Sequence, residues 1–317
     1  MKYYIGMDLG GTDIKVSVIS EDYKLMVKHV IPTSSHRPVE EIIADMADAG
    51  RKAARKAGLE ESDISYVGVG VPGTVDSKTN EIVFANNLNW RNVDFISIFQ
   101  RFWDIPVYLG NDADAAALAE VYAGAARGYD NAIVLTIGTG IGGGLIFDRK
   151  IFTGGGLGTE PGHIIIVKDG EHCTCGSRGC FEAYASLPGL FRETISVMKE
   201  HPDSLLYALC GRDFKNLSGR IIFDALKRDD PAAKIVLERY SDYIGTGIAS
   251  LCNALRPQAV IIGGGISNAG DLLLDPIRKS VESLVFFTDN GKLPPILKAE
   301  LGNDAGMIGA ALFGMAG

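Results

Sequence analysis

The hydrophobic pattern opens as strands. From Tyr3 to Ser20 apolar and polar positions alternate on both sides of Gly10, Gly11 and Thr12. This predicts two strands joined by a glycine turn, and residues 25–31 predict a third. Val39, Ile42, Ile43, Met46, Ala49, Ala53 and Ala57 then recur at helical spacing, which predicts an amphipathic helix over residues 39–58. Residues 66–73 read as a buried strand, 95–103 as a helix capped by Asp94, 105–109 as a strand and 115–126 as an alanine-rich helix. Residues 131–147 repeat the arrangement of residues 3–19, a strand, a turn at Gly138, Thr139 and Gly140, and a second strand. Two such units predict a duplicated α/β domain. Helices are expected over 188–199 and 231–255, with a third glycine turn after a buried strand in 259–267. A last strand is expected at 295–301, and a helix of small residues at 304–315.

A chain of 317 residues is too long for one small core and suggests two domains, hence two lobes and a cleft. The net charge of −8 argues against a nucleic-acid partner, since such proteins present a basic face or stripe. No run of about 18 apolar residues occurs, and Lys2, Tyr3 and Tyr4 lead straight into the first strand pattern, so neither a membrane span nor a signal peptide is expected. Five cysteines, three of them clustered, fit a reducing, cytoplasmic setting, with Cys210 and Cys252 expected as buried apolar residues.

Residues 159–182 carry the most specific chemistry. Cys173, Cys175 and Cys180 form a Cys-x-Cys-Gly-x-x-Gly-Cys array, in which Gly176 and Gly179 permit the tight backbone that turns three thiolates towards one ion. The fourth ligand is His172 or His163. A residue adjacent to Cys173 is poorly placed for the same ion, whereas a hairpin through residues 164–167 would return His163, which is favoured. Four protein ligands with no open position suit structural zinc. The turn at residues 10–12 either cradles an anion, with Thr12 and Lys15 adding a hydroxyl and a cation, or simply closes a hairpin. Two Gly-x-Gly-x-x-Gly runs, beginning at Gly68 and Gly138, lack the helix that a dinucleotide fingerprint must open. Asp112, after Asn111 at a strand end, either caps the next helix or stands where α/β sheets present their chemistry.

DLGGTDIK at 8–15, TIGTGIGGG at 136–144, IIGGGIS at 261–267, and EPGH at 160–163 with CTCGSRGCFE at 173–182 together resemble the ROK family of sugar kinases and repressors. They are similar, in that order, to its first and second phosphate motifs, its adenosine motif and its zinc and sugar signature, and the likeness covers nearly the whole chain. Many members carry lysine directly after Gly-Gly-Thr. Here Asp13 stands there and Lys15 is the nearest cation. The resemblance implies an actin-like, hexokinase-type duplicated α/β fold, with residues 1–114 and 303–317 in the smaller lobe, 115–302 in the larger, and ATP and sugar meeting in a central cleft. It implies Asp112 as the base that takes the proton of the attacking sugar hydroxyl. Gly73, Asn111, Asp112, Glu160, His163 and Glu182 would contact the sugar. Asp8, Gly10, Gly11, Thr12, Lys15, Thr139, Gly140, Gly264 and Gly265 would hold Mg-ATP, and His163, Cys173, Cys175 and Cys180 a structural zinc, with the second ring nitrogen of His163 addressing the sugar.

Because the metal loop carries Glu182 but none of the phosphate turns, metal loss is expected to weaken sugar binding more than ATP binding. Gly11, Gly140 and Gly264 are expected where a side chain would intrude on nucleotide or strain the turn. NNLNW at 86–90 resembles the members that phosphorylate glucose. Kinases of N-acetylglucosamine, N-acetylmannosamine, fructose or allose are the alternative, and sugar-sensing repressors, with a helix-turn-helix ahead of the kinase-like part, a further one. The first strand here starts at about Tyr3. The resemblance also implies a glycolytic homo-oligomer, a dimer or a tetramer.

Overall fold

The computed structural model describes residues 2–286 and 293–315. The elements follow in chain order. β1 (Tyr3–Leu9), β2 (Asp13–Ser20) and β3 (Leu25–Pro32) precede α1 (Val39–Lys56), β4 (Ile64–Val71), β5 (Thr74–Asp76), β6 (Glu81–Ala85) and β7 (Trp90–Val93). Then come α2 (Phe95–Gln100), β8 (Val107–Asn111), α3 (Asp112–Ala123), β9 (Ala132–Ile137), β10 (Ile141–Phe147) and β11 (Lys150–Ile151). After a long loop follow α4 (Phe181–Ala185), α5 (Leu187–Glu200), α6 (Leu205–Leu209), α7 (Gly219–Lys227) and α8 (Pro231–Leu255). The chain closes with β12 (Ala259–Gly263), α9 (Asp271–Leu284), β13 (Ile296–Lys298) and α10 (Ala305–Leu312).

Two sheets repeat one order. The first runs β3-β2-β1-β4-β8 and the second β11-β10-β9-β12-β13, so in each a glycine-turn hairpin supplies the centre and two later strands extend one side. β4 and β8 join in parallel, as does β13 on β12. This is the duplication that the repeated hairpin predicts. The three-stranded sheet β5-β6-β7 has no counterpart among the expected strands, because its strands are too short to alternate visibly.

The chain forms two compact units, residues 1–134, 143–159 and 300–317 in one, and 135–142 with 160–299 in the other. The expected lobe boundary between residues 114 and 115 falls inside α3, a helix that stays whole in the first unit. Of the residues expected in the smaller lobe, Met1, Ala316 and Gly317 lie outside those described.

In the first unit α1 buries Ile42, Ile43, Met46, Ala49 and Ala53, the stripe read from the sequence. The sheet's other face receives α10 at close range. A Cβ on Gly6 would collide with the Met307 carbonyl and one on Gly68 with that of Ala310. The first glycine of the Gly68 run therefore makes room for a helix backbone and opens no dinucleotide turn. In the second unit Asp230 caps α8 through Ala233 N–H, Pro231 begins it, and the helix packs against α9, α5 and α4.

Candidate functional site

β8 ends at Asn111, and α3 begins at Asp112. The cap is Asn111 and not Asp112. Its Oδ1 accepts from Ala113 N–H at 2.7 Å and Asp114 N–H at 3.2 Å, while its Nδ2 donates to the Gly73 carbonyl at 2.9 Å. An amide has two N–H groups, so Asn111 has one left for a ligand and chiefly fixes the strand-to-helix corner. Asp112 occupies the first helical position at the carboxyl end of a parallel strand, and its Oδ1 also accepts from Ala113 N–H at 2.9 Å. Gly73 sits at φ +152, where a Cβ would strike the Phe84 carbonyl.

The first glycine turn closes β1 on β2 through Gly10 N–H to the Asp13 carbonyl at 3.0 Å. The fully buried Thr33 holds it from outside: its hydroxyl donates to the Gly10 carbonyl at 2.6 Å and its N–H to the Thr12 carbonyl at 2.7 Å. Asp8 and Lys15 face each other across the hairpin and pair at 2.9 Å. The Asp8 carboxylate also lies against Gly306 in the first turn of α10, where a Cβ would come within 2.9 Å of it, a favourable place for negative charge. Thr12 is exposed. At Gly11 a Cβ would meet only ordinary contact with Asn87, so the chain itself does not demand glycine there.

In the second unit the sequence-predicted metal ligands converge. One ligand atom each from His163, Cys173, Cys175 and Cys180 lies within 4.8 Å of the others. Cys173 Sγ stands 3.6 Å from His163 Nδ1 and Cys175 Sγ 3.6 Å from Cys180 Sγ. Tetrahedral zinc places such donors about 3.6–3.8 Å apart, so the four residues fit the ion. His163 returns as expected, through Ile165 bridged to Cys180 and Ile166 N–H bonded to the Gly179 carbonyl. His172 stays outside, its Nε2 taken by Arg178 at 2.6 Å. Burial pushes the Cys180 thiol up to about 12 and the Cys173 thiol upward, whereas the Ser177 N–H lowers Cys175. An incoming metal must therefore displace thiol protons, and its retention rises with pH.

Glu182, in the first turn of α4, reaches two places. Its Oε2 accepts from Ile141 N–H at 2.9 Å, and its Oε1 from the Thr174 hydroxyl at 3.0 Å. Ile141 begins β10 directly after the second glycine turn, and a Cβ on Gly140 would lie 2.5 Å from Glu182 Oε2. Within the chain, the neighbour that a side chain at position 140 would meet is this carboxylate. Gly162 packs against the carbonyl of the same Ile141. The loop that carries the metal ligands thus grips the second glycine turn, and the separation expected between the two is absent.

Gly138 closes the turn on the Gly140 carbonyl at 2.9 Å and accepts from Leu187 N–H at 2.8 Å. Thr139 is exposed. Gly264, at φ +82, presses on the Ile137 backbone at the end of β9, and Ser267 Oγ donates to its carbonyl at 2.8 Å. A Cβ on Gly138 or Gly265 meets nothing within 4 Å, and neither has positive φ.

The structure gathers His163, Cys173, Cys175, Cys180 and Glu182 around the second turn, and Gly73, Asn111 and Asp112 around the β8–α3 corner, while Glu160 stands exposed before Pro161. Sequence reasoning missed Thr33, Thr174 and the second partner of Glu182, because each acts through a hydrogen bond distant in sequence. It also missed Glu120, a buried carboxylate in α3 that accepts from Ala125, Glu300 and Leu301 N–H.

The ROK family model matches residues 4–315. A glucokinase of Streptomyces coelicolor is 36% identical over 310 residues, 97% of this chain and 96% of that protein. A glucokinase of Halalkalibacterium halodurans is 35% identical over 316 residues, 97% of this chain and 93% of the other. Among solved structures, a ROK family glucokinase from Streptomyces griseus in complex with glucose and AMPPNP is 35% identical, covers 98% of both chains and superposes with a TM-score of 0.80. The chain belongs to the ROK family and has its actin-like, hexokinase-type α/β fold.

Proposed function

We propose that this ROK-family chain transfers the γ-phosphoryl group of Mg-ATP to a hexose, glucose at its 6-hydroxyl, with Asp112 as general base. The observation that carries this reading is the division of labour at the β8–α3 corner. Asn111 is the N-cap, and the aspartate beside it, which also accepts from Ala113 N–H, stands where an α/β sheet presents its chemistry. The proton of the hydroxyl passes to Asp112 as the oxygen forms its bond to the γ-phosphorus, and the bond from that phosphorus to the bridging oxygen breaks to release ADP.

Gly138 and Gly265 support phosphate binding. Nothing among the described residues crowds them and neither adopts a left-handed conformation, so glycine there serves a close approach from outside the chain. Gly11 fits the same reading, with Thr12 and Thr139 as exposed hydroxyls. Asp8 suits magnesium, which takes one or two carboxylates together with phosphate oxygens. Lys15, paired with Asp8, balances that carboxylate. For the sugar, His163 offers Nε2 while Nδ1 faces the thiols. Glu160 and Glu182 add acceptor oxygens, and Asn111 its remaining N–H. Zinc in the Cys3His cluster would fix the His163 ring and the loop around it, and no helix among the described residues is long and apolar enough to cross a membrane.

Specificity constants for glucose, mannose, fructose, N-acetylglucosamine and N-acetylmannosamine test the substrate, with glucose expected to lead. An acetamido sugar ahead by roughly tenfold would overturn that choice, since one unsatisfied buried hydrogen bond already costs about 1–3 kcal/mol. Asp112→Asn keeps the size of the side chain and should lower turnover by roughly 10²–10⁴-fold with an unchanged circular dichroism spectrum. Near-normal turnover would remove Asp112 from the chemistry.

A further inference from the structure

We infer that Glu182 is a positioning residue for the nucleotide, tying the second glycine turn to the metal loop so that the loop's order sets the affinity for ATP. The inference rests on the reading of that turn as a phosphate cradle. Both carboxylate oxygens are engaged by protein donors on opposite sides. Ile141 N–H reaches Oε2 from the turn, and the Thr174 hydroxyl reaches Oε1 from between two of the cluster cysteines. A Cβ on Gly140 would press on Oε2 as the carboxylate now stands, so the bare glycine lets the carboxylate lie close against the turn. Gly162, directly before His163, closes on the carbonyl of Ile141 while Glu182 takes its N–H. One residue at the edge of the turn is therefore flanked by the two ends of the metal loop, its N–H bonded to Glu182 and its carbonyl packed against Gly162.

A carboxylate offers about four lone-pair sites; Ile141 N–H, the Thr174 hydroxyl and, at 3.6 Å, the Cys173 thiol take three of them. Glu182 can still receive a sugar hydroxyl without releasing the turn. This makes it a shared element: hexose on its remaining site would stiffen the contact with Ile141, and nucleotide on the turn would fix the carboxylate for hexose. Sugar and nucleotide should then bind with positive coupling, each raising the affinity for the other by the same factor.

The experiment is titration calorimetry of a non-hydrolysable ATP analogue with magnesium, in the absence of any sugar, on the metal-loaded full chain. Glu182→Ala should weaken the analogue about tenfold, the worth of one charge-assisted hydrogen bond. Glu182→Gln, whose carbonyl can still accept from Ile141 N–H, should recover most of the loss. Gly138→Val is the control on the cradle itself. If it leaves the affinity untouched, the reading of the turn fails; if it weakens the analogue while Glu182→Ala does not, the positioning role of Glu182 fails. Should Glu182→Ala lose metal or circular dichroism signal, Thr174→Val carries the test, because it removes the hydroxyl tether to Oε1 and leaves Cys173, the other donor to that oxygen, in place. It should weaken the analogue about threefold, and wild-type affinity in that variant would overturn the inference.

Discussion

The two glycine turns occupy the same position in two sheets of the same order, yet they are held by different means. The first is closed by its own strand neighbours. Thr33, one residue beyond β3, bonds the carbonyls of Gly10 and Thr12, and Asp8 pairs with Lys15 across the hairpin. The second is held by residues about twenty to forty positions later, Gly162 and Glu182, both belonging to the metal loop. Duplication of a hairpin thus preserves the turn but not its support. A support recruited from the loop that carries the Cys3His cluster would make the second turn, unlike the first, dependent on an ion held there.

Metal removal should have the largest effect on the contrast between the two turns. Without an ion the thiols of Cys173 and Cys180 keep their protons, residues 163–180 lose their crosslink, and the Glu182 carboxylate loses its fixed position. Activity should fall by about 10²-fold on chelation, the upper end for loss of residues that orient a metal site, and chelation should go faster as pH falls. The Michaelis constant for ATP should rise along with that for hexose. A rise confined to the hexose constant would restore the expectation that metal loss weakens sugar binding more than ATP binding.

Gly140→Val comes next. With a Cβ only 2.5 Å from Glu182 Oε2, the valine must displace the carboxylate or the turn, and kcat/KM should drop roughly 10–100-fold, about the cost of one or two broken hydrogen bonds to a charged group. Nucleotide and hexose affinity should both suffer. A variant that loses nucleotide affinity alone would mean that Glu182 moves aside without consequence.

Much of this was legible in the sequence, and the exceptions have physical causes. The strands β1, β2 and β9, the helix α8 and the Cys3His cluster follow from alternation, from Asp230 and Pro231 at a helix start, and from ligand spacing, all local signals. The strand expected at 105–109 instead begins at Val107, since Pro106 has no N–H to give a ladder. The strand expected at 295–301 stops at Lys298, because the N–H groups of Glu300 and Leu301 turn to Glu120. That glutamate sits in an alanine-rich helix, where a sequence reader expects a solvated charge. α9 escaped because Pro276 interrupts its interior. At the site, the cysteines and Asp112 were visible as residue types at telling positions, whereas the tasks of Asn111, Thr33 and Glu182 depend on partners that only the fold supplies.

The smallest effect separates the two turns most cleanly. Thr33→Val removes the hydroxyl that donates to the Gly10 carbonyl at 2.6 Å but leaves the backbone bond to Thr12. The side chain is fully buried and valine has nearly the same shape, so no cavity opens, and the loss is one hydrogen bond with its acceptor left unsatisfied, about 1–3 kcal/mol. Only part of that reaches the nucleotide, because the Gly10 N–H bond to the Asp13 carbonyl still closes the hairpin. The Michaelis constant for ATP should rise roughly threefold to tenfold, a loss of about 0.6–1.4 kcal/mol in binding, and Thr33→Ser should return most of it. Metal content, and hexose affinity measured without nucleotide, should stay at the wild-type value, since the support of this turn owes nothing to the metal loop. Loss of metal from Thr33→Val would show that the two turns share a support after all.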